Sequence, residues 1–359
     1  MQQLKVYSNS TLYVSKIISA LVAPYFKLVN FLRQSYELDS LNIQNIIISE
    51  YHRIGDVIMI IPAVQALKKK YPKAKITLIC NPTTLELASY LDIADEYIPF
   101  KAPWTDWSWN YIKWIKAKSF AKKLSKRNFD LAFDFKGDFR NNWLLWIITP
   151  KISFGYDTTG GRYLLSHAYT MNDKIHQTKR AIELVSKVGC HHQVKKIQHK
   201  NNYTGAIVFH AGATDKRRSW PVKHWEELAD LILPDYPLTI VNTFDSIELI
   251  DLLKKRKPGI DIFNGSLVEF TKWLKGQTCL IAPDSMAGHI AAFVGIPVIS
   301  IFGSQPPELT RPIGKNAKVV LPEKTCMHKR SHWRLCYHCM ESISPNRVFS
   351  ELKNTLPKK

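Results

Sequence analysis

Three short segments of this sequence carry residue types that could move a proton or hold a phosphate group. In the first, residues 53–57, Gly55 permits a sharp turn and Asp56 falls at the start of a predicted helix, after a predicted buried strand. An aspartate in that position could act as a general base. It could equally be an N-cap that accepts hydrogen bonds from helix amides, and this segment alone leaves both roles open.

The second segment, residues 210–221, combines a loop of small residues with three consecutive cations. Gly212 and Thr214 follow a predicted strand, and Lys216, Arg217 and Arg218 come next, before a predicted helix. Backbone amides and point charges arranged in this way suit a phosphate. The alternative is a solvated basic turn.

The third segment, residues 283–289, also follows a predicted strand and opens a helix, whose free amides would attract phosphate. Asp284 or Ser285 could instead be only the N-cap, and His289 could be a core histidine. The small residues at 287–288 are expected to let a ligand approach closely.

Two sets of alternating strands and helices must position these segments. The continuous apolar run at 46–48 predicts a strand covered on both faces, which is typical of parallel sheets. In the first half we predict strands at 45–49, 75–80, 96–99, 131–135 and 152–155, and a helix at 57–70. In the second half we predict strands at 205–210, 238–242, 260–263, 279–282 and 298–302, and helices at 222–233, 246–255, 267–275 and 287–294. The expected fold class is α/β, with two doubly wound domains facing a cleft and the polar stretch 191–203 as linker.

Composition narrows the function classes. With 359 residues, 45% of them hydrophobic, the chain is globular, and 50 Lys and Arg against 30 Asp and Glu give a net charge of +20. Such an excess implies a polyanionic partner. Six scattered cysteines argue against a disulfide-built fold and for a reducing cytoplasm. Because the sequence has no dinucleotide-binding fingerprint, a dehydrogenase is disfavoured. The P-loop, zincin, hydrolase-elbow and Asp-x-Asp motifs are also absent from the sequence.

In their order and spacing, these segments resemble glycosyltransferase family 9, the ADP-heptose:lipopolysaccharide heptosyltransferases, from about residue 46 to residue 348. The matching motifs are residues 53–57 with 61–63, residues 210–221, and residues 284–289 with 302–303; residues 264–267 and 336–341 match weaker landmarks. Two positions depart from the family pattern. Ala211 stands where the family usually has Pro, and Met286 stands where it usually has Gly beside the diphosphate.

The resemblance implies a GT-B fold and an inverting, metal-independent transfer of heptose from ADP-heptose to the lipopolysaccharide inner core, either Kdo-lipid A or a heptose on it. Asp56 would be the general base, and no cofactor is implied. The implied donor-binding residues are Gly212, Thr214, Lys216, Arg217, Arg218, Ser266, Asp284, Ser285, Met286 and His289. The implied acceptor-binding residues are Arg53, Lys136, Arg140 and Arg162. Which of the three consecutive cations faces the donor stays open.

The expected domains are an amphipathic N-terminal extension (1–44), an acceptor domain (45–195), a nucleotide-sugar domain (204–345) and a tail (346–359). The apolar stretch 12–32 is interrupted by charged and polar residues, so we expect a helix that breaks at Pro24 rather than a membrane span. That helix either packs on its own domain or touches a membrane. Residues 107–129 hold seven cations and no acid, which suits the anionic cytoplasmic face of the inner membrane, although a solvated helix face is the alternative.

Other interpretations remain open. Cys326, Cys336 and Cys339, with His328, His332 and His338 among them, could hold zinc, but their irregular spacing favours local packing and we predict no metal. Rival functions are transfer of another sugar or to another acceptor, binding of a sugar nucleotide without turnover, and binding of nucleic acid by a basic surface. The sequence lacks nucleic-acid-binding signatures, so we expect no nucleic acid partner.

Overall fold

The computed structural model describes residues 8–105, 110–191, 204–329 and 335–356. The chain divides into two compact units. One comprises Val6–Val194 and is called the N-terminal domain below. The other comprises Lys195–Lys359 with Met1–Lys5 and is called the C-terminal domain.

In the N-terminal domain the described strands form one parallel sheet in the order β3-β2-β1-β4-β5-β6. The strands are β1 (Asn45–Glu50), β2 (Lys75–Cys80), β3 (Glu96–Pro99), β4 (Leu131–Asp134), β5 (Ile152–Tyr156) and β6 (His167–Tyr169). The helices are α1 (Asn9–Phe31), α2 (Ile54–Lys70), α3 (Leu85–Tyr90), α4 (Tyr111–Ser125), α5 (Phe139–Ile148) and α6 (Gln177–Ser186). The strand order reverses between β1 and β4, which is where such sheets bind ligands.

The C-terminal domain repeats the same topology, with a parallel sheet in the order β12-β11-β10-β7-β8-β9. Its strands are β7 (Ile207–Phe209), β8 (Leu238–Val241), β9 (Asp261–Phe263), β10 (Cys279–Pro283), β11 (Val298–Ile301) and β12 (Ala317–Val320). Its helices are α7 (Val222–Ile232), α8 (Ile247–Arg256), α9 (Leu267–Leu274), α10 (Met286–Val294), α11 (Pro307–Thr310), α12 (Tyr337–Glu341) and α13 (Pro345–Thr355). Here the order reverses between β7 and β10, so the segments after these two strands meet at one edge of the sheet.

The predicted α/β fold class is confirmed, and each predicted strand lies within two residues of an observed one. Strands β6 and β12 were not predicted, because these edge strands are only partly buried and lack a continuous apolar run. The predicted start of the helix after β1 was three residues late. Since α2 begins at Ile54, its N-cap is Arg53, and Asp56 lies in its first turn instead of capping it.

Helix α1 was predicted to break at Pro24, and this prediction was wrong, because the helix continues through the proline. Contacts on both sides of Pro24 hold it against the N-terminal domain. On one side Ser19 Oγ accepts a hydrogen bond of 2.8 Å from the Gly161 amide. On the other, Asn30 Oδ1 accepts one of 2.7 Å from the Trp146 indole. These anchors offset the single backbone hydrogen bond that proline removes.

Candidate functional site

Asp56 lies at the carboxyl end of β1, and two donors from other elements hold its carboxylate. Lys136, from the turn after β4, places Nζ 2.7 Å from Asp56 Oδ1. Gln177, the first residue of α6, donates from Nε2 to the same oxygen at 2.8 Å. In the part of the chain that the structure describes, both donors contact Oδ1.

The turn after β4 fixes the position of Lys136. Asp134 at the strand end accepts hydrogen bonds from the amides of Lys136, at 3.0 Å, and Gly137, at 2.9 Å. Asn141 donates to the other carboxylate oxygen of Asp134 at 2.9 Å. Gly137 has a φ of +69°, and a Cβ there would lie 2.6 Å from Thr158 Oγ1, so the turn requires glycine.

Charge pairing keeps Asp56 ionised. Burial alone would raise the pKa of Asp56, but the adjacent Lys136 charge, with hydrogen bonds from Lys136 and Gln177, holds it well below its usual range. Lys136 also lies 3.4 Å from Glu50 Oε2, and Glu50 is fully buried in β1. Burial would lower the pKa of Lys136, yet the two carboxylates raise it overall. The site is therefore a preformed ion pair with an additional buried carboxylate.

Of the other three cations that were predicted to bind the acceptor, two pair with aspartates of their own turns and one is exposed. Arg140 forms a two-pronged ion pair with Asp138, at 2.9 and 2.6 Å. Arg162 bonds to Asp157 Oδ2 at 2.8 Å, and its side chain remains largely exposed. Arg53 is exposed at the N-cap of α2. Of the four, the structure brings Lys136 into hydrogen-bonding contact with Asp56.

In the C-terminal domain, the three cations in the loop after β7 differ in their ion-pair partners. Arg217 pairs with Asp215 in its own turn, at 2.8 and 2.6 Å. Arg218 reaches across to Asp284, 3.2 Å from Oδ2, and so joins the loop after β7 to the end of β10. Lys216 is exposed and is paired with no carboxylate among the described residues. The loop thus leaves Lys216 as the cation with its charge available to a ligand.

Helix α10 begins at the end of β10 with unpaired polar atoms around it. Ser285 is its N-cap but makes no side-chain capping bond, and its Oγ is buried without a hydrogen-bond partner. His210 Nδ1, at the end of neighbouring β7, is likewise buried and unpartnered. Burial lowers the pKa of His210 to about 4, so its ring is neutral at pH 7. Buried polar atoms are normally satisfied, and these exceptions at one edge of the sheet indicate a place for a polar ligand.

The family model that describes glycosyltransferase family 9 (heptosyltransferase) matches residues 117–336, which is more than half of the sequence. The chain belongs to this family. Lipopolysaccharide heptosyltransferase 1 of Pseudomonas aeruginosa is 22% identical over 340 residues, covering 84% of this chain and 95% of the relative. The chain is therefore a glycosyltransferase of the heptosyltransferase family.

Solved structures show the same fold. Heptosyltransferase WaaC of E. coli with ADP matches with a TM-score of 0.70 and 18% identity, over 87% of this chain and 100% of WaaC. WaaC has also been solved with ADP-2-deoxy-2-fluoro heptose. The iron-containing dodecameric glycosyltransferase TibC from enterotoxigenic E. coli matches with a TM-score of 0.52 and 13% identity, over 88% of this chain and 77% of TibC.

In this glycosyltransferase, three of the small and polar residues singled out in the sequence have packing or capping positions within the protein. Gly288 was expected to let a ligand approach, but a Cβ there would lie 2.9 Å from Pro312 Cγ and 3.1 Å from Ser300 Oγ, so it serves packing. His289 is buried one turn into α10. Ser266 caps α9 in a capping box with Glu269, which gives its hydroxyl a structural role.

The sequence analysis missed Gln177 and Glu50. Gln177 reaches Asp56 because α6 packs against α2, and 121 residues separate the two side chains in the sequence. No local sequence pattern predicts such a contact. Glu50 had a visible signal, because an acidic residue ends a buried strand with an apolar centre, but strand composition alone does not reveal that it faces Lys136.

The basic helix α4 borders a cavity of about 430 Å³ in the N-terminal domain. Lys101, Lys113 and Lys116 line it beside the rings of Phe100 and Phe120. Trp107 and Trp109, which the sequence analysis placed next to this basic stretch, lie outside the described residues. The cavity thus combines positive charge with aromatic surface.

Proposed function

We propose that this protein is an inverting, metal-independent transferase that moves heptose from ADP-heptose to the lipopolysaccharide inner core. The observation that carries the proposal is the Asp56 carboxylate, held on Oδ1 by Lys136 and Gln177 at the sheet position where ligands bind. Membership of the family and the names of its relatives support the choice of donor and acceptor classes.

In the proposed reaction, an acceptor hydroxyl attacks the anomeric carbon of the donor sugar. Asp56 Oδ2 takes the hydroxyl proton while the new C–O bond forms and the bond to the diphosphate oxygen breaks, so ADP leaves with the bonding electron pair. One in-line displacement of this kind inverts the anomeric centre. Since the pKa of Asp56 is low, proton transfer accompanies bond formation instead of preceding it.

We assign the diphosphate to the edge of the C-terminal sheet. Lys216 supplies a charge, Ser285 Oγ supplies a hydroxyl donor, and the first amides of α10 add the positive end of the helix dipole. Gly212 belongs to the same edge, because a Cβ there would lie 2.9 Å from Thr243 Oγ1 and crowd the loop. In this arrangement, a cation and a helix N-terminus stabilise the leaving diphosphate.

We assign the protein to the cytoplasmic face of the inner membrane. Helix α1 packs one face on the N-terminal domain and exposes large apolar side chains on another, among them Leu21 at 76% and Phe31 at 86%. By length and composition α1 is also apolar enough to cross a membrane, and only a small share of it is buried. The packed face favours a helix lying in the membrane interface, and lysine-rich α4 of the same domain adds positive charge.

A vesicle-binding assay tests this location. Leu21→Asp with Phe31→Asp is expected to abolish co-sedimentation with anionic vesicles, because it places two charges on the lipid-facing surface. Phe244→Asp is the matched control, since Phe244 is 87% exposed but belongs to the C-terminal domain. Unchanged vesicle binding by the α1 variant would exclude α1 as the anchor.

The catalytic assignment is tested with Asp56→Asn, which keeps the shape of the side chain and removes the base. We expect turnover to fall about 100-fold or more, with the affinity for ADP-heptose within a few-fold of the wild type. Asp39→Asn, at an exposed carboxylate of the same domain, is the control. Near-normal turnover of Asp56→Asn would show that another group takes the proton.

A further inference from the structure

A second group of chemistry-bearing side chains lies in the C-terminal domain, outside the proposed reaction. Cys326, His328, Cys336 and Cys339 bring one ligand atom each to within 4.8 Å of one another. Cys326 Sγ lies 3.8 Å from His328 Nδ1. Cys336 and Cys339 are buried, and none of the three cysteines is in a disulfide.

Three thiols and one imidazole form a donor set that binds a tetrahedral metal ion. With metal–sulfur bonds of about 2.3 Å, neighbouring sulfurs of such a site lie roughly 3.8 Å apart, so the observed group needs to contract only slightly. Cys336 and Cys339 lie three residues apart at the N-cap and within the first turn of α12, which places both thiols on one side. Sequence spacing disfavoured a metal, but the fold makes the four residues converge.

The cluster also has a structural need for a metal. The chain between β12 and α12 carries Cys326 and His328. Its described residues form neither a helix nor an extended strand. Short helix α12 by itself provides little cooperative stability. We propose that these four residues bind one divalent ion, zinc or iron, which ties the irregular segment to α12. The thiols lose their protons when the ion binds.

The position of α12 gives that ion a role. Gly303, at the end of β11, lies so close to α12 that a Cβ there would be 2.9 Å from Met340 Sδ. α12 also packs against the turn that carries Lys216. Just beyond α12, Ile343 accepts a hydrogen bond of 2.9 Å from the Trp220 indole at the end of that loop. The ion therefore positions the turn that carries Lys216. This positioning role rests on the proposed donor site, whereas the proposal that the four residues bind a metal is independent of it.

Metal content of the full-length protein, purified under reducing conditions, tests the site directly. We expect about one zinc or iron ion per chain, and replacement by cobalt should give the absorption of thiolate-to-cobalt charge transfer. Cys336→Ser with Cys339→Ser should lose the ion. His338→Ala should keep it, because the His338 ring contacts His328 but its Nδ1 lies 2.8 Å from Glu341.

Two results would overturn the metal site. One is the absence of a bound ion both in the purified wild type and in the wild type treated with cobalt. The other is a disulfide among these cysteines in the protein purified under reducing conditions. Wild-type cobalt loading keeps the test valid even if the cysteine variants fail to fold. For the positioning role, removal of the ion should weaken ADP binding several-fold. Unchanged ADP affinity after removal would overturn that role. Failure of the metal-loaded protein to bind ADP would instead overturn the proposed donor site.

Discussion

The two candidate sites occupy equivalent places in two sheets of the same topology, yet their charges are arranged in opposite ways. At the end of β1, the charges of Asp56 and Lys136 are paired at 2.7 Å, and Lys136 also lies 3.4 Å from Glu50 Oε2, which accepts no hydrogen bond among the described residues. At the end of β7 and β10, Ser285 Oγ and His210 Nδ1 are buried without partners. A closed ion pair suits a group that must keep one position during chemistry. Unpaired donors suit a ligand that brings its own charge.

The largest effect on ADP binding is expected from removal of Lys216, the cation of the site at the ends of β7 and β10. Lys216→Ala should weaken ADP binding about ten- to a hundredfold, because a charge-assisted contact to phosphate is lost. Arg217→Ala is the matched control and should change binding little, since Arg217 is paired with Asp215. Titration calorimetry with ADP measures both. Equal, negligible effects at Lys216, Arg217 and Arg218 would remove this loop from the donor site.

At the site around Asp56 and Lys136, removal of the Gln177 amide tests whether its hydrogen bond orients Asp56. Gln177→Leu should lower kcat about tenfold and leave ADP affinity unchanged, because the change frees the carboxylate without altering its charge. Gln177→Glu should be more harmful, since it sets a second carboxylate against Asp56. A Gln177→Leu enzyme with normal kcat would contradict the positioning role.

The pH dependence sharpens the role of Lys136. The active form needs ionised Asp56, so the acidic limb of kcat/KM follows the pKa of Asp56, which Lys136 now holds below its usual range. With Lys136→Met, burial dominates, the pKa of Asp56 rises, and the acidic limb should move to higher pH. A pH–rate profile measures the shift. A limb that stays in place would show that Lys136 does not control Asp56.

Where the signal is local, the positions of the elements could be predicted from the sequence. Asp56 and the cation loop each follow a buried strand, as predicted, because an apolar run makes each strand visible in the sequence. The contacts that depend on tertiary packing could not be predicted from the sequence. Gln177 reaches Asp56 through the contact of α6 with α2, and Gly288 is small because of Pro312. The pairing that separates Lys216 from Arg217 and Arg218 likewise depends on where Asp215 and Asp284 lie in space.

The smallest expected effect concerns Met286, the first residue of α10 and partly exposed there. A flexible methionine can turn aside from a diphosphate, so Met286→Gly should change ADP-heptose affinity less than about tenfold. Titration with ADP-heptose measures it, beside UDP and GDP sugars. Activity that appears only in the variant, or a far larger gain, would mean that ADP-heptose is not the natural donor.

One paired measurement tests whether chemistry and donor binding are divided between the two sites. Turnover and ADP-heptose affinity are determined for Asp56→Asn and Lys216→Ala under the same conditions. The account predicts that Asp56→Asn loses turnover by about 100-fold or more at nearly normal affinity, whereas Lys216→Ala loses affinity. If Asp56→Asn instead lost donor affinity and kept its turnover at saturation, the assignment of chemistry to the site around Asp56 and Lys136 would be contradicted.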